Sequence, residues 1–358
     1  MKQLNLNQLR TNISNWASDL GFAEVGFSDT DLKADGEKLR SWLAKGLHGE
    51  MEYMTRHGDM RWNPAKLKSG ARSIISFRIN YLEKNPAPKD TIRTENKGSI
   101  SKYAQGRDYH KTIRTKLKKL EKKIRLFCEE NNHNNFESRL VTDSAPILEK
   151  AVAQKAGLGW IGKNTLLINK EAGSWFFLAE ILTNLPLAKN NLPEKNLCGD
   201  CQACLKICPT KAIIEPYVLD AKKCISYLTI ENKGTIPEEY RKPMGNRIFG
   251  CDDCQIFCPW NRYANHNKEK DFKPRHGLQN EELINLFQWS ENEFDRKTAG
   301  SAIRRTGYQG WLRNIAVALG NTKSLPNLIQ ILLARKGYSQ LLDEHINWAL
   351  EQHTRISA

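Results

Sequence analysis

The cysteine pattern constrains this chain more than any other feature of its sequence. A first run has the spacing of bacterial ferredoxins, in which three close thiolates bind one [4Fe-4S] cluster and the fourth reaches a second cluster; it consists of Cys198, Cys201, Cys204 and Cys208, followed by Pro209. A second run, Cys251, Cys254 and Cys258, matches the end of this pattern, but Ile248 stands where its first cysteine is expected. Cys224, between the runs, brings the number of ligands to the eight that two clusters require.

Crossed ligation of the kind found in two-cluster ferredoxins divides these cysteines into two sets. The first set is Cys198, Cys201, Cys204 and Cys258, and the second set is Cys208, Cys224, Cys251 and Cys254. A zinc site is the alternative, but it would be complete with four ligands, usually in two separated pairs. The ninth cysteine, Cys128, lies in a helical pattern and is interpreted as a structural thiol.

The composition indicates a water-soluble protein with a basic surface. No apolar run approaches the roughly 20 residues that cross a bilayer, and the start of the chain has an amphipathic helical pattern, with Leu9, Ile13, Trp16 and Leu20 on one face, instead of an export signal. We therefore expect a cytoplasmic protein with reduced thiols. The formal net charge of +15 is typical of proteins that contact nucleic acid or anionic membranes, and a merely soluble surface is the alternative.

Residues 1–190 mix helical and strand patterns, which predicts an α+β domain. A strand is predicted at 73–81 and an exposed polar loop at 83–98. An amphipathic helix is predicted at 111–127, with lysines on its polar side. That side is interpreted as a solvated face, and a phosphate-facing surface is the alternative.

Two further regions follow in the sequence. Residues 191–265 contain the cysteine runs, which begin after a linker-like stretch at 190–197. Residues 275–358 show short helical patterns, which fit a small helical-repeat cap and lie around 311–319, 325–334 and 341–350.

Three shorter motifs carry alternative interpretations. The segment 157–162 spells GxGxxG, but it follows a predicted helix instead of a strand, so it is interpreted as a helix end and not as a dinucleotide site. Asp143 and Ser144 precede a predicted helix at 145–156, and either residue is a candidate for its N-cap. The alternative for Asp143 is a catalytic acid whose pKa is tuned by a closed cofactor pocket. The segment 108–110 begins like the D-x-H-x-x-G signature of cobalamin-ligating proteins, but Ile113 replaces its glycine.

Several segments in this order together resemble the epoxyqueuosine reductases. They are VTDSAPILEKAVAQKAGLGWIGKNTLLI (141–168), the two cysteine runs, CISYLTIE (224–231) and GWLRNIAVALGN (310–321). The resemblance implies an α+β fold similar to that of reductive dehalogenases. It implies a nitroreductase-like cobalamin-binding domain, a ferredoxin-like domain with two clusters and a C-terminal HEAT-like helical cap, which we place at 1–190, 191–265 and 275–358.

The activity that the resemblance implies is removal of the epoxide oxygen from epoxyqueuosine in the tRNA anticodon loop, with base-off cobalamin as cofactor. Asp143 looks like the family's proton donor and is the predicted catalytic residue. The other predicted cobalamin contacts, in segments similar to those that border the cofactor, are Arg61, Tyr103, Gly106, Asn164 and Ser226. The sequence RWNP departs from the family at Asn63, where many relatives carry an acidic residue.

The predicted reaction consumes two electrons and two protons, because the epoxide oxygen leaves as water and a carbon–carbon double bond remains. Two clusters deliver electrons one at a time, and an unidentified donor must reduce them. We expect tRNA phosphates to contact basic side chains in or before the helical cap, namely Lys297, Arg304, Arg305 and Arg313, whose alternative role is ordinary surface charge. A monomer is expected because no extended apolar stripe suggests a partner helix.

Two rival functions remain open at this point. The first is a corrinoid reductive dehalogenase, against which stand the missing export signal and the basic helical C-terminal region. The second is a ferredoxin-type electron carrier, which needs far fewer residues than the 190 that precede the clusters.

Overall fold

An antiparallel sheet forms the centre of the N-terminal half of the chain. The computed structural model describes residues 4–82, 94, 96–190, 195–323 and 325–356. The strands of this sheet are Glu24–Ser28 (β1), Ser73–Asn80 (β2), Ser138–Val141 (β4) and Phe176–Thr183 (β7). They are arranged in the order β1-β2-β7-β4. The strand predicted at 73–81 is therefore confirmed, and all eight residues of β2 are buried because helices cover both faces of the sheet.

Helices pack on the two faces of this sheet. On one face lie Leu6–Asp19 (α1) and Tyr109–Glu130 (α4), whose apolar sides pack with Phe77 of β2. On the other face, Ile74 of β2 packs with residues of Pro64–Leu67 (α3) and Glu149–Lys155 (α5). A further helix, Lys33–Ala44 (α2), follows β1. The amphipathic helices predicted at the N-terminus and at 111–127 are confirmed as α1 and α4.

The loop before α5 differs from the prediction. The N-cap of α5 is Leu148, and no side chain caps the helix, so the interpretation of Asp143 or Ser144 as an N-cap is wrong. Asp143 instead has φ 57°, a left-handed conformation that is uncommon outside glycine. The helix ends at Ala156, and Gly157 has φ 81°, which confirms that the glycines of 157–162 end a helix.

Short elements build the cysteine-rich region and part of the segment before it. Two short strands, Trp160–Ile161 (β5) and Leu167–Ile168 (β6), precede the cysteine runs. The cysteine-rich region itself contains Ala203–Ile207 (α6), Ile213–Glu215 (β8), Val218–Leu219 (β9), Ile225–Ile230 (α7), Glu238–Met244 (α8), Arg247–Phe249 (β10) and Asp253–Ile256 (α9). The strand β10 pairs in parallel with Ser99–Ile100 (β3) and is buried. Ile248, which replaces a cysteine of the second run, is a core residue of β10, so this position serves packing and not ligation.

The C-terminal region is helical, as predicted. Its helices are Leu283–Gln288 (α10), Glu291–Thr298 (α11), Gly307–Gly320 (α12), Leu328–Leu333 (α13) and Gln340–Ile356 (α14). Helix α12 is buried along most of its length and packs against α10, α14 and β10. Its core residues are continuous with those of α7 and β10, so the helical cap and the cysteine-rich region share one hydrophobic core.

One predicted tRNA contact is overturned by this packing. Arg313 is 1% exposed in α12, and its guanidinium donates to the backbone oxygens of Leu228, Asn232 and Gly234. Because a phosphate cannot reach a buried guanidinium whose donors are engaged, Arg313 holds α12 against α7 and is not a phosphate ligand.

Some predictions fall on residues that are not described. The polar loop predicted at 83–98 lies largely outside the described residues, and so does half of the linker at 190–197. Across the parts of the chain that are described, none of the helices combines the length and the apolar character that a bilayer span requires.

Candidate active site

The first predicted ligand set lines a cavity of about 240 Å³ that we call the outer cavity. Its wall includes Cys198, Cys201, Cys204 and Cys258, together with Lys163, Asn164 and Trp260. Burial, together with the nearby Cys258 and Cys198 thiols, raises the pKa of the Cys204 thiol to about 11. Cys258 therefore lies among the cysteines of the first run, as crossed ligation requires.

The second predicted ligand set lines a deeper cavity of about 440 Å³, the inner cavity. Its wall includes Cys208, Cys224, Cys251 and Cys254. Burial raises the pKa of Cys254 well above its ordinary value, and the Cys224 and Cys208 thiols are among the neighbours that add to this effect. Cys224 thus lies with the second run, where the missing ligand was predicted.

The geometry of both cavities suits clusters better than single ions. All nine cysteines are free of disulfides. Within the described ranges, no three His, Cys, Asp or Glu side chains converge to hold one metal ion, and the cysteines instead surround two spaces. Asn164 lines both cavities, and its Nδ2 donates to the carbonyl oxygen of Cys254 at 3.3 Å. The eight ligand assignments stay predictions that this arrangement supports.

A third cavity of about 740 Å³, the upper cavity, adjoins the inner one. The two share wall residues, which are Tyr103, Tyr109, Leu219, Cys224 and Ser226. Of the predicted cobalamin contacts, Tyr103 and Ser226 line both cavities, Asn164 lines the inner cavity, and Asp143 lines the upper one. The joined space far exceeds what an iron–sulfur cluster needs and has the size of a site for a large organic cofactor.

Arg61 and Gly106 do not line these three cavities. Arg61 is buried, and its guanidinium donates to the carbonyl oxygens of Met54, at 3.1 Å, and Tyr53, so it supports the turn that carries Tyr53 to the rim of the upper cavity. A Cβ atom at Gly106 would lie 2.7 Å from the Phe272 carbonyl oxygen, so this glycine permits close backbone packing.

Asp143 belongs to a hydrogen-bonded network at the start of α4. The Tyr109 hydroxyl donates to its Oδ2 at 2.7 Å, and His110 Nε2 lies 3.0 Å from the same oxygen. His110 Nδ1 lies 2.7 Å from Oδ1 of Asp108, which is also the N-cap of α4. The Tyr109 ring stacks on Phe177 with 4.0 Å between centroids. The sequence does not reveal these roles, because the segment 108–110 shows only the start of a cobalamin signature and nothing there indicates contact with Asp143.

The proton in this network resides on His110. Burial disfavours the charged imidazole, but the hydrogen bonds that it donates to Asp108 and Asp143 outweigh burial and raise the pKa of His110 to about 9. Burial also tends to raise the pKa of Asp143, but hydrogen bonds from His110 and Tyr109 reverse this effect and lower it. Desolvation therefore does not keep Asp143 protonated, and an imidazolium stands beside its carboxylate.

A pair of glutamates lies behind Asp143. Glu149 accepts a hydrogen bond from the Asp143 backbone N–H at 2.5 Å, and Glu180, opposite Val141 in the sheet, is completely buried beside it. Burial and then mutual repulsion raise the pKa of Glu180 well above its usual value; burial, followed by the charge of Asp143, raises that of Glu149 to about 7. The pair therefore holds a proton near neutral pH. Its only sequence signal is the acidic residue inside the apolar strand FFLAEILT.

Two predicted tRNA contacts lie at the rim of the upper cavity, and one does not. Arg304 and Arg305 line this cavity and are exposed. Arg305 lies 2.8 Å from Glu231, and Arg304 lies 3.4 Å from Asp295. Lys297 is absent from the cavity wall and lies 4.2 Å from the centroid of the Trp289 ring.

Replacing Cys224 tests the assignment of the inner cavity. Wild-type protein reconstituted without oxygen should hold about eight iron atoms per chain, and Cys224→Ser should hold about four, because the inner cluster loses a ligand. Iron and sulfide analysis measures this. Cys128→Ala is the matched control, since burial raises the pKa of that thiol to about 11 and it lies in α4 away from the cavities. Eight iron atoms in Cys224→Ser would contradict the assignment.

Replacing His110 tests the charged network. Because folding raises the pKa of His110 from 6.5 to about 9, its contribution to stability is complete below about pH 6.5 and is lost as the pH rises through about 9. At about pH 6.5 the free energy of unfolding of wild type should exceed that of His110→Gln by on the order of 1–2 kcal/mol, and this difference should narrow by about pH 9.5. Thermal unfolding across this range measures the gap, with the exposed His57→Gln as control. A gap that is constant with pH would refute the shift.

Comparisons with known proteins agree with this geometry. A family model described as "4Fe-4S double cluster binding domain" matches residues 197–261, and one described as "Epoxyqueuosine reductase QueG, DUF1730" matches residues 61–144. The epoxyqueuosine reductase of Salmonella typhimurium is 53% identical over 351 residues, which cover 98% of this chain and 90% of that protein. The epoxyqueuosine reductase of Pseudomonas aeruginosa is 50% identical and covers 97% of this chain and 95% of its own length.

Solved structures match the whole architecture. An epoxyqueuosine reductase from Streptococcus thermophilus is 31% identical with a TM-score of 0.85, covering 97% of this chain and 90% of that one. An epoxyqueuosine reductase solved with a tRNA-Tyr epoxyqueuosine-modified tRNA stem loop is 28% identical with a TM-score of 0.87, covering 97% and 91%. The relatives that are 50% and 53% identical along nearly the full length identify the chain as a member of the epoxyqueuosine reductase family.

Proposed function

We propose that this chain reduces epoxyqueuosine to queuosine in the tRNA anticodon loop with electrons from two [4Fe-4S] clusters and with cobalamin as cofactor. The observation that carries this proposal is the connected arrangement of the three cavities. The outer cavity contacts the inner cavity through Asn164, and the inner cavity shares five wall residues with the upper cavity. A route for electrons thus runs from the surface to a space that Asp143 borders.

The joined inner and upper cavities fit cobalamin. Tyr103 and Ser226, which lie in the shared wall, and Asn164, beside the inner cluster ligands, are the residues proposed to hold it. When bound, cobalamin supplies a cobalt centre that acts as a nucleophile or forms radicals, chemistry that no side chain provides. We further propose that it binds base-off, in a nitroreductase-like domain.

The hydrogen-bonded network around Asp143 supplies a proton to the epoxide oxygen as it leaves. His110 stores the proton, and Asp143 is hydrogen-bonded to its Nε2 while 48% of the Asp143 side chain stays exposed toward the cavity. Asp143 therefore accepts the proton from His110 and presents it to the oxygen as negative charge develops there. A solved relative from Bacillus subtilis is described with a catalytic loop, named by an aspartate, swung out of the active site, which agrees with placing the catalytic carboxylate on a loop.

The tRNA substrate is proposed to approach the rim of the upper cavity. The relative that was solved with an epoxyqueuosine-modified stem loop supports this substrate. Arg304 and Arg305 are exposed at the rim and carry positive charge that phosphates would neutralise. The helices of 275–358 are proposed to form a HEAT-like cap beside this rim. The protein is proposed to be a cytoplasmic monomer.

Asp143→Asn tests the catalytic assignment. The variant should bind cobalamin and tRNA normally, because the amide keeps the shape of the side chain, and the single-turnover rate constant should fall by roughly 100-fold or more, because an amide cannot relay the proton. Single-turnover formation of queuosine in modified tRNA measures this. Ser144→Ala is the adjacent control and should keep its turnover. Full turnover by Asp143→Asn with cobalamin bound would show that the assignment is wrong.

Charge reversal at the rim tests the tRNA surface. Replacing Arg304 and Arg305 together by Glu should weaken binding of a modified stem loop at least about tenfold at low salt and reduce the slope of log K against log salt by about 2. Fluorescence anisotropy at several salt concentrations measures both. The control reverses two exposed lysines near the outer cavity, Lys206→Glu with Lys211→Glu. Equal affinities for the rim variant and wild type would remove these arginines from the interface.

A further inference from the structure

Exposed apolar side chains gather around the outer cavity. Three exposed apolar side chains are tied to the wall of this cavity: Leu197 is part of the wall, Tyr263 follows the wall residue Arg262, and the Tyr217 backbone N–H donates to the carbonyl oxygen of the wall residue Lys163 at 3.1 Å. Single exposed apolar residues are ordinary, but a group around one cavity marks an interaction surface. We call these three residues and the exposed cations of the same segments the outer face.

Hydrogen bonds and ring contacts hold the outer face in place. Asn196 Nδ2 donates to the Tyr217 hydroxyl at 2.9 Å, and Trp260 Nε1 donates to the Leu197 carbonyl oxygen at 3.3 Å. The Trp260 ring lies 6.1 Å from the Tyr263 ring. A surface that is fixed before binding loses little conformational entropy when a partner docks, which favours association.

The charge of the outer face is positive. Its exposed cations are Lys195, Lys206, Lys211 and Arg262, and its exposed anions are Asp200 and Glu215. In the described part of the chain, the recorded salt bridges include none of these four cations. Unpaired cations around an apolar centre attract an acidic partner and accelerate its association.

The outer face also lies closest to the predicted outer cluster. Cys201 is exposed, whereas Cys224 and Cys251 of the inner set are only partly accessible. Lys163 donates to the carbonyl oxygens of Gly199 and Cys201 at 2.5 and 3.0 Å, which fixes the loop that carries the exposed cysteine. An electron that enters the chain here can reach the predicted outer cluster at its exposed ligand, Cys201.

We propose that the outer face docks a small acidic one-electron carrier protein that reduces the outer cluster. This inference rests on the proposed two-cluster function. The carrier loses one electron and the outer cluster gains it; two such transfers supply the two electrons that one epoxide reduction consumes. Small and weak interfaces suffice for encounters of this kind, which agrees with a face of a few side chains.

Stopped-flow reduction of the iron–sulfur protein tests the inference without tRNA or cobalamin. The probe is a reduced plant-type ferredoxin, which is acidic, and bleaching of the cluster absorption reports the electron transfer. Lys206→Glu with Arg262→Glu should lower the second-order rate constant at least about tenfold at low ionic strength, and the difference should shrink as salt rises. A double variant Tyr217→Ser with Tyr263→Ser should lower the rate at all salt concentrations.

Two controls separate docking from damage. Dithionite, a small reductant that needs no docking face, should reduce every variant at the wild-type rate at high salt, where its own negative charge is screened, and iron content should be unchanged. Charge reversal on the polar side of α4, Lys118→Glu with Lys122→Glu, should leave reduction by ferredoxin unchanged. Wild-type rates for the outer-face variants at low salt, or equal slowing by the α4 variant, would overturn the docking proposal. Normal cluster reduction with no formation of queuosine would instead refute the proposed function.

Discussion

The sharing of cysteines between two runs is the constraint on which the proposed site depends. Each predicted cluster takes ligands from both runs, so residues near 200 and residues near 255 must lie side by side in the fold. Short elements achieve this, and the parallel pairing of β10 with β3 fixes the second run against the N-terminal half. Because α12 packs on β10 and α7, the helical cap is part of the same hydrophobic core.

Electrostatics beside the upper cavity shift the pKa values of chemically similar carboxyl groups in opposite directions. Asp143 accepts hydrogen bonds from His110 and Tyr109, and these outweigh the effect of burial on its pKa. Glu180 has a weak hydroxyl donor in Ser76, at 3.4 Å, and a second carboxyl beside it, so burial dominates and its pKa rises. The result is an ionised carboxylate, Asp143, at the cavity and, behind it, a pair of glutamates that holds a proton near neutral pH.

The cavities also separate the surfaces proposed for the two kinds of partner. The outer and upper cavities share no wall residue and communicate through the inner cavity. The outer face, proposed to dock an electron carrier, and the rim of the upper cavity, proposed to bind tRNA, are therefore different surfaces. Both surfaces are basic, but the outer face adds apolar side chains that suit a protein partner, whereas the rim adds arginines that suit phosphates.

The sequence by itself determined the features that depend on local spacing. The cysteine runs, the missing ligand at Ile248, the strand β2 and the amphipathic helices α1 and α4 follow from periodicity and ligand chemistry, which act over a few residues. Asp143 was singled out from the sequence too, but its surroundings were not, because His110, Glu149 and Glu180 approach it through the pairing of β4 with β7 and the packing of α4.

Only the tertiary structure decided which charged side chains are available and which are structural. Arg304, Arg305 and Arg313 are indistinguishable by residue type, yet α12 buries Arg313 among backbone carbonyl oxygens while the other two line the upper cavity. Burial and electrostatic potential arise from atoms that are distant in the sequence, so neither composition nor spacing reports them.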